Sequence, residues 1–144
     1  MKVSDILQIK GWGVKTIAPD ASARELSVRL HAEIGAMVVS SDGRSVDGMV
    51  SERDVAYALA AHGSGLTTLP VSRLMTKAVL VCSPEDSILH VMKLMTQRRI
   101  RHLPVKKGDQ LVGIISIGDV LKHRLDELEL EANVMRDYAV AARR

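Results

Sequence analysis

The chain has 144 residues, 47% of them apolar but only 2% aromatic, with no Phe, one Trp and two Tyr. So few rings exclude an aromatic platform for single-stranded nucleic acid and a cage for a quaternary ammonium, and the Val, Ile and Leu content excludes a disordered chain. The formal charge is +3, from 20 Lys and Arg against 17 Asp and Glu, which is too small a surplus to mark a polymer-binding face by itself. One cysteine, Cys82, cannot form an internal disulfide and favours a reducing compartment. No signal-peptide pattern opens the chain, and the longest apolar run, Val55–Ala61, falls far short of the ~20 residues a membrane span needs. The expectation is a soluble, cytoplasmic protein.

Taken in order, the elements occur twice. Sliding the chain by 65 residues sets Pro19 on Pro84, Ser22 on Ser87, Gly43 on Gly108, Gly48 on Gly113, Ser51 on Ser116, Asp54 on Asp119 and Val55 on Val120. These identities fall on turn and cap positions, where geometry restricts the residue, and the apolar positions follow the same register. Upstream the offset becomes 68, because the stretch around Lys10–Trp12 carries three extra residues.

A lead-in opens each half, Val3–Leu7 and Val71–Met75. A short strand follows, Val14–Ile17 and Val79–Cys82. A helix is expected from each proline, which suits a first helical position, with Ser83 accepting from the N–H of Asp86. Ile88, Val91, Met92 and Met95 then recur at helical spacing. Two strands come next, Ala36–Ser40 with Val46–Val50 and Leu103–Val105 with Leu111–Ile115. Their turns are Ser41-Asp42-Gly43 and Lys107-Gly108-Asp109. A last helix starts at Ser51 or Ser116, and the first of these stops near His62-Gly63. Each unit is thus β-α-β-β-α. At about 60 residues it is marginal alone, so the two must pack together. Gly63–Thr68 reads as a linker, flexible at first and stiffened at Pro70.

Catalytic patterns are weak. Gly11-Trp12-Gly13 is followed by Thr16 where a dinucleotide fingerprint needs Gly, and Gly43/Gly48 lack the Lys-Ser/Thr of a phosphate loop. The five histidines show no zinc-ligand spacing, and Cys82 sits in an apolar segment. The informative motif is duplicated: Gly48-Met49-Val50-Ser51-Glu52-Arg53-Asp54 and Gly113-Ile114-Ile115-Ser116-Ile117-Gly118-Asp119. A strand ends in Ser, and Asp follows in the first helical turn. The plain reading is a helix cap. The functional reading uses the same physics: free N–H groups and a hydroxyl bind a phosphate, while the carboxylate accepts from a pair of ribose hydroxyls.

These two motifs, with Arg98-Arg99-Ile100-Arg101-His102-Leu103-Pro104-Val105, resemble a tandem pair of cystathionine-β-synthase (CBS) domains, a Bateman module of the small stand-alone bacterial type, over roughly Val3–Leu125. The resemblance implies an α+β fold of two pseudo-symmetric repeats packed face to face through their sheets. They would span 1–63 and 71–125, with a linker at 64–70 and a helical tail at 126–144. It also implies a non-catalytic regulatory module that binds AMP, ADP, ATP, NAD(H) or S-adenosylmethionine, needs no cofactor or metal, and acts on a protein target that the sequence does not identify.

Carried over, Asp54 and Asp119 would hold ribose, and Ser51 and Ser116 would contact phosphate. Thr16, Ile17, Val81 and Cys82 would border the adenine. Arg53, Arg101 and His102, with Leu103 and Pro104 beside them, would approach the phosphates. The first-repeat counterparts of Arg101-His102 are Ala36-Met37, with Met37 read as core filler, and Gly118 stands where the first motif has Arg53. Two clefts of unequal strength are therefore expected.

Two alternatives remain at this stage. One is nucleic-acid binding through Arg98, Arg99 and Arg101, and the other is a small enzyme acting on a nucleotide. Finally, Leu121, Leu125, Leu128, Ala132, Met135 and Ala139 form one stripe at 4-3-4-3-4 spacing. It reads either as a helix lying on its own domain or as a dimer contact, and the family resemblance favours a homodimer.

Overall fold

The computed structural model describes residues 1–32 and 35–144. Helix α1 (Val3–Lys10) leads into the two-residue strand β1 (Thr16–Ile17). Then come α2 (Ala23–Ala32), β2 (Ala36–Val39), β3 (Gly48–Ser51) and α3 (Glu52–His62). The second half holds α4 (Ile88–Arg98), β4 (His102–Lys107), β5 (Gln110–Ser116) and the 26-residue α5 (Ile117–Ala142). β1 runs parallel to β2, and β2 pairs antiparallel with β3, Val38 opposite Met49. β4 and β5 form an antiparallel hairpin closed at Gly108, whose φ of 62° suits glycine.

Several boundaries differ from expectation. The strand expected at Val79–Cys82 shrinks to one parallel bridge, Cys82 to Val105. The helices do not begin at the prolines. They begin at Ala23 and Ile88, where the Ser22 and Ser87 hydroxyls accept from the N–H groups of Glu25 and His90, each at 3.1 Å. Ser83 instead shapes the turn before α4. Its N–H donates to the Asp86 carboxylate at 2.8 Å, and its carbonyl, not its hydroxyl, accepts from the Asp86 N–H. The expected flexible linker is wound into a 3-10 helix, Gly63–Thr68. The tail expected at 126–144 is helical to Ala142 and continues α5 without a break.

The two repeats exchange their lead-ins. Val3, Ile6 and Leu7 of α1 are fully buried among Ile88, Val91, Met95, Leu103 and Ile115 of the second repeat. Val71, Leu74 and Met75 pack among Ile17, Leu26, Leu30 and Val50 of the first. The backbone repeats this exchange. The Val3 and Ser4 N–H groups donate to the carbonyls of Asp86 and Pro84, both at 2.9 Å. In the related place the Val71 and Ser72 N–H groups donate to Ala21 and Pro19 at 2.8 and 2.9 Å. Each fully buried Val, Leu or Ile stabilises by about 1.5–3 kcal/mol, so neither repeat keeps a complete core without the other's first segment.

The exchange also explains the glycine of each duplicated motif. A Cβ at Gly48 would stand 2.7 Å from Met75 Sδ, and one at Gly113 would stand 2.7 Å from Leu7 Cδ2. The motif opens with glycine because the other repeat's lead-in presses on the strand there.

Candidate functional site

Two clefts lie between the repeats, and each takes its walls from both. The first, about 420 Å³, joins the start of α3, with Ser51, Arg53 and Asp54, to Val79, Leu80 and the Arg99–His102 stretch of the second repeat. The second, about 510 Å³, joins the Lys10–Lys15 segment of the first repeat to Ile114 and Ser116 of the second. Both volumes are in the range of small-molecule sites. His102 and Ala36 border both clefts, so the two share a wall. That wall is tight: a Cβ at Gly35 (φ +105°) would meet His102 Nε2 at 2.7 Å.

The duplicated Ser and Asp do cap their helices. The Ser51 N–H donates to Asp54 Oδ2 at 2.8 Å, and its hydroxyl donates to the same oxygen at 3.2 Å. The Ser116 N–H donates to Asp119 Oδ2 at 2.9 Å, while the Ser116 hydroxyl accepts from the Asp119 N–H at 3.1 Å. Each carboxylate is thereby fixed beside a helix N-terminus, where the backbone dipole favours an anion.

Beyond the caps the two places diverge. Lys10 Nζ lies 2.8 Å from Asp119 Oδ2. Burial raises the Asp119 carboxyl, but the Lys10 ammonium and the Ser116 N–H outweigh it and hold the group below the ordinary carboxylate value. Asp54 makes no ion pair among the described residues. The structural reason lies in the sequence register: Lys10 belongs to the stretch of extra residues that the second half lacks. One carboxylate is therefore already engaged by a cation of its own chain, and the other faces an open cleft. His102 is held neutral at higher acidity than usual, chiefly by burial and next by the Lys10 charge.

The residues expected to contact a nucleotide separate into three sets. Ser51, Arg53, Asp54, Arg101 and His102 are brought together in the first cleft. Ser116 borders the second, and Asp119 meets Lys10 there. Thr16, Ile17, Val81, Cys82, Leu103 and Pro104 line neither cleft. Ile17, Cys82 and Leu103 are core residues, and the Thr16 carbonyl accepts from Arg29 Nη1 at 2.8 Å. The lining is supplied slightly earlier in the chain, by Val79 and Leu80 in one cleft and Val14 and Lys15 in the other. Ile17 and Leu103, in paired strands, and Cys82, at its single bridge, turn into the core, whereas Val81 is exposed outside both clefts.

Residues not anticipated are Arg99, Met49 and Leu80 in the first cleft and Lys10 and Trp12 in the second. The three-residue offset change was a signal for the last two, since an insertion in one repeat marks a place where the repeats differ. Met37, read as core filler, is buried, although it reaches the second cleft as well. The arginine cluster divides: Arg99 and Arg101 line the first cleft, whereas Arg98 lines neither.

Paired, pseudo-symmetric clefts with a Ser-x-x-Asp helix start and an exchanged lead-in define a two-repeat architecture with two inter-repeat clefts. The CBS domain matches residues 3–61 and 71–126, and the chain belongs to the CBS-domain family. A CBS-domain-containing protein from Agrobacterium tumefaciens has a similar structure, with 42% identity and a TM-score of 0.82 over 86% of this chain and 99% of that one. The CBS domain-containing protein YhcV of Bacillus subtilis is 32% identical over 113 residues, covering 78% of this chain and 79% of that protein. CBSX2, solved in complex with AMP, shares the fold at 24% identity and a TM-score of 0.70, over 87% of this chain and 96% of that one.

Proposed function

We propose that this protein is a non-catalytic sensor that binds an adenosine nucleotide in the first cleft and passes the bound state to a protein target. The carrying observation is the placement of Ser51 and Asp54 at the start of α3, in one cleft with Arg101 and His102 of the other repeat. Asp54 would accept from ribose hydroxyls, and Ser51 and the arginines would meet phosphate. Met49, Val79 and Leu80 supply the aliphatic walls for adenine in a chain nearly free of rings. A related structure, CBSX2, holds AMP, which supports this class of ligand. The reading extends to ADP, ATP and NAD(H), to a cytoplasmic setting and to a homodimer. No helix among the described residues is long and apolar enough to cross a membrane. Ligand would act by its differential affinity for one packing of the repeats.

The test is a thermal-shift and calorimetric panel of AMP, ADP, ATP, NAD⁺, NADH and S-adenosylmethionine on nucleotide-free protein. At least one should stabilise the fold, by about 2.7 kcal/mol at a hundredfold excess over Kd. Asp54→Ala should weaken that ligand at least tenfold, and Asp119→Ala should have a smaller effect because Lys10 already engages that carboxylate. No shift with any ligand would overturn the reading. Polynucleotide binding lost on replacing Arg98, Arg99 and Arg101 would favour a nucleic-acid role, and nucleotide turnover would favour an enzyme.

A further inference from the structure

We infer that the first cleft selects a nucleotide carrying two or more phosphates over a nucleoside monophosphate, and that Arg99 is the residue that sets this preference. The inference rests on the nucleotide reading and goes one step further, to the length of the anionic tail.

Three guanidiniums, Arg53, Arg99 and Arg101, line this cleft, and none of them makes an ion pair among the described residues. Two carboxylates, Glu52 and Asp54, stand against them, and Asp54 is turned back onto Ser51. Three guanidiniums against two carboxylates leave one positive charge in excess, and the Asp54 carboxylate is already engaged by Ser51. A single phosphate is already served by the α3 N-terminus, Ser51 and one arginine. Two further guanidiniums would then have no phosphate, while a di- or triphosphate tail offers each a charge-assisted, bidentate contact.

Arg99 adds an independent observation. It is the one non-glycine residue with positive φ among those described, at 54°. It ends α4 in the left-handed conformation, its N–H bonded to the Met95 and Thr96 carbonyls. Glycine is favoured at such a helix end, and a side chain there costs on the order of 1 kcal/mol. The chain keeps an arginine at this place, and that arginine borders the cleft. The second cleft lacks this provision. Gly118 stands in place of Arg53, and Lys10 is bonded to Asp119.

The experiment is calorimetric titration of the full chain with AMP, ADP, ATP and inorganic triphosphate at fixed ionic strength. ATP is expected to bind at least tenfold tighter than AMP, with ADP between. Arg99→Gly removes the guanidinium and suits the backbone, so the fold should be kept. It should reduce the ATP-to-AMP ratio at least fivefold, by weakening ATP more than AMP, while Arg99→Lys keeps part of the preference. Equal binding of AMP and ATP, or an unchanged ratio in Arg99→Gly, overturns the inference and leaves the nucleotide reading standing. Inorganic triphosphate binding as tightly as ATP also overturns it, because the site would then recognise a polyanion. Failure of every nucleotide, by contrast, would be the failure of the nucleotide reading itself.

Discussion

The Gly113 backbone rests on the Leu7 side chain, so closely that a Cβ would come within 2.7 Å of Leu7 Cδ2. Gly113 belongs to the second repeat's motif and Leu7 to the first repeat's lead-in, so the contact records the exchange in one pair. Gly113→Ala should destabilise by about 1–3 kcal/mol through overpacking. Leu7→Ala should cost about 2–5 kcal/mol through the lost contacts and cavity. In the Leu7→Ala background the alanine at 113 has room, and its cost should fall below about 0.5 kcal/mol. A double-mutant cycle by urea unfolding measures this coupling, and additive effects would contradict the contact.

The Lys10–Asp119 pair gives the protein an acid-sensitive contribution. Asp119 has a lower pKa folded than unfolded. The unfolded chain therefore takes up its proton first as pH falls. The stabilisation is complete above the ordinary carboxylate value and is lost as pH drops through the lowered folded value. Both side chains are partly exposed, so the pair is worth about 0.5–1 kcal/mol. Lys10→Met should lower stability by that amount at pH 7, and the difference from the natural chain should vanish as pH falls below the lowered folded value of Asp119. A constant difference across that range would mean that lost packing, not charge, accounts for it.

Cys82 should be inert in the native protein. Burial, and secondarily the Asp86 charge, pushes its thiol up to about 12. At pH 8 almost no thiolate exists, and the sulfur is covered. A thiol-reactive dye should label it at least a hundredfold more slowly in the folded chain than in denaturant. Fast stoichiometric labelling without denaturant would show that the segment around Cys82 opens readily.

Helix α5 leaves the body with Leu125, Leu128 and Met135 exposed. The stripe places Leu125 and Ala132 at a positions and Leu128 and Met135 at d. Parallel pairing with a second copy then sets Arg124 against the partner's Glu129 and Glu131 against the partner's Arg136, opposite charges in both cases. The natural chain should run as a dimer in size-exclusion chromatography with light scattering. Leu128→Glu with Met135→Glu should give monomer, with Tm changed by less than about 2 °C because both sites are exposed in one chain. A dimer that persists in the double variant would place the contact elsewhere.

Much of this was legible in the residues. The 65-residue register located both motifs, and Ser51, Asp54, Ser116 and Asp119 stand at helix starts as that spacing requires. Arg101 and His102 also enter the first cleft. Other relations were not legible. The strand order alone does not say which residues of Thr16, Ile17, Val81 and Cys82 turn inward: Ile17 and Cys82 are buried, whereas Val81 stays exposed, and the cleft walls come from the segment just before each. Ser83 has the chemistry of a cap, yet Ser87 caps α4, because local chemistry alone does not decide between a capped turn and a capped helix.

By itself, the sequence determined the duplicated unit, its helix caps and the likeness of its motifs to the CBS pattern, because caps, turns and periodicity act over a few residues. Only the tertiary structure decided that each lead-in completes the other repeat's core. It also decided that His102 separates two clefts and that Lys10 reaches Asp119, 109 positions away. Those relations depend on burial and on through-space charge between distant segments, which no local pattern encodes.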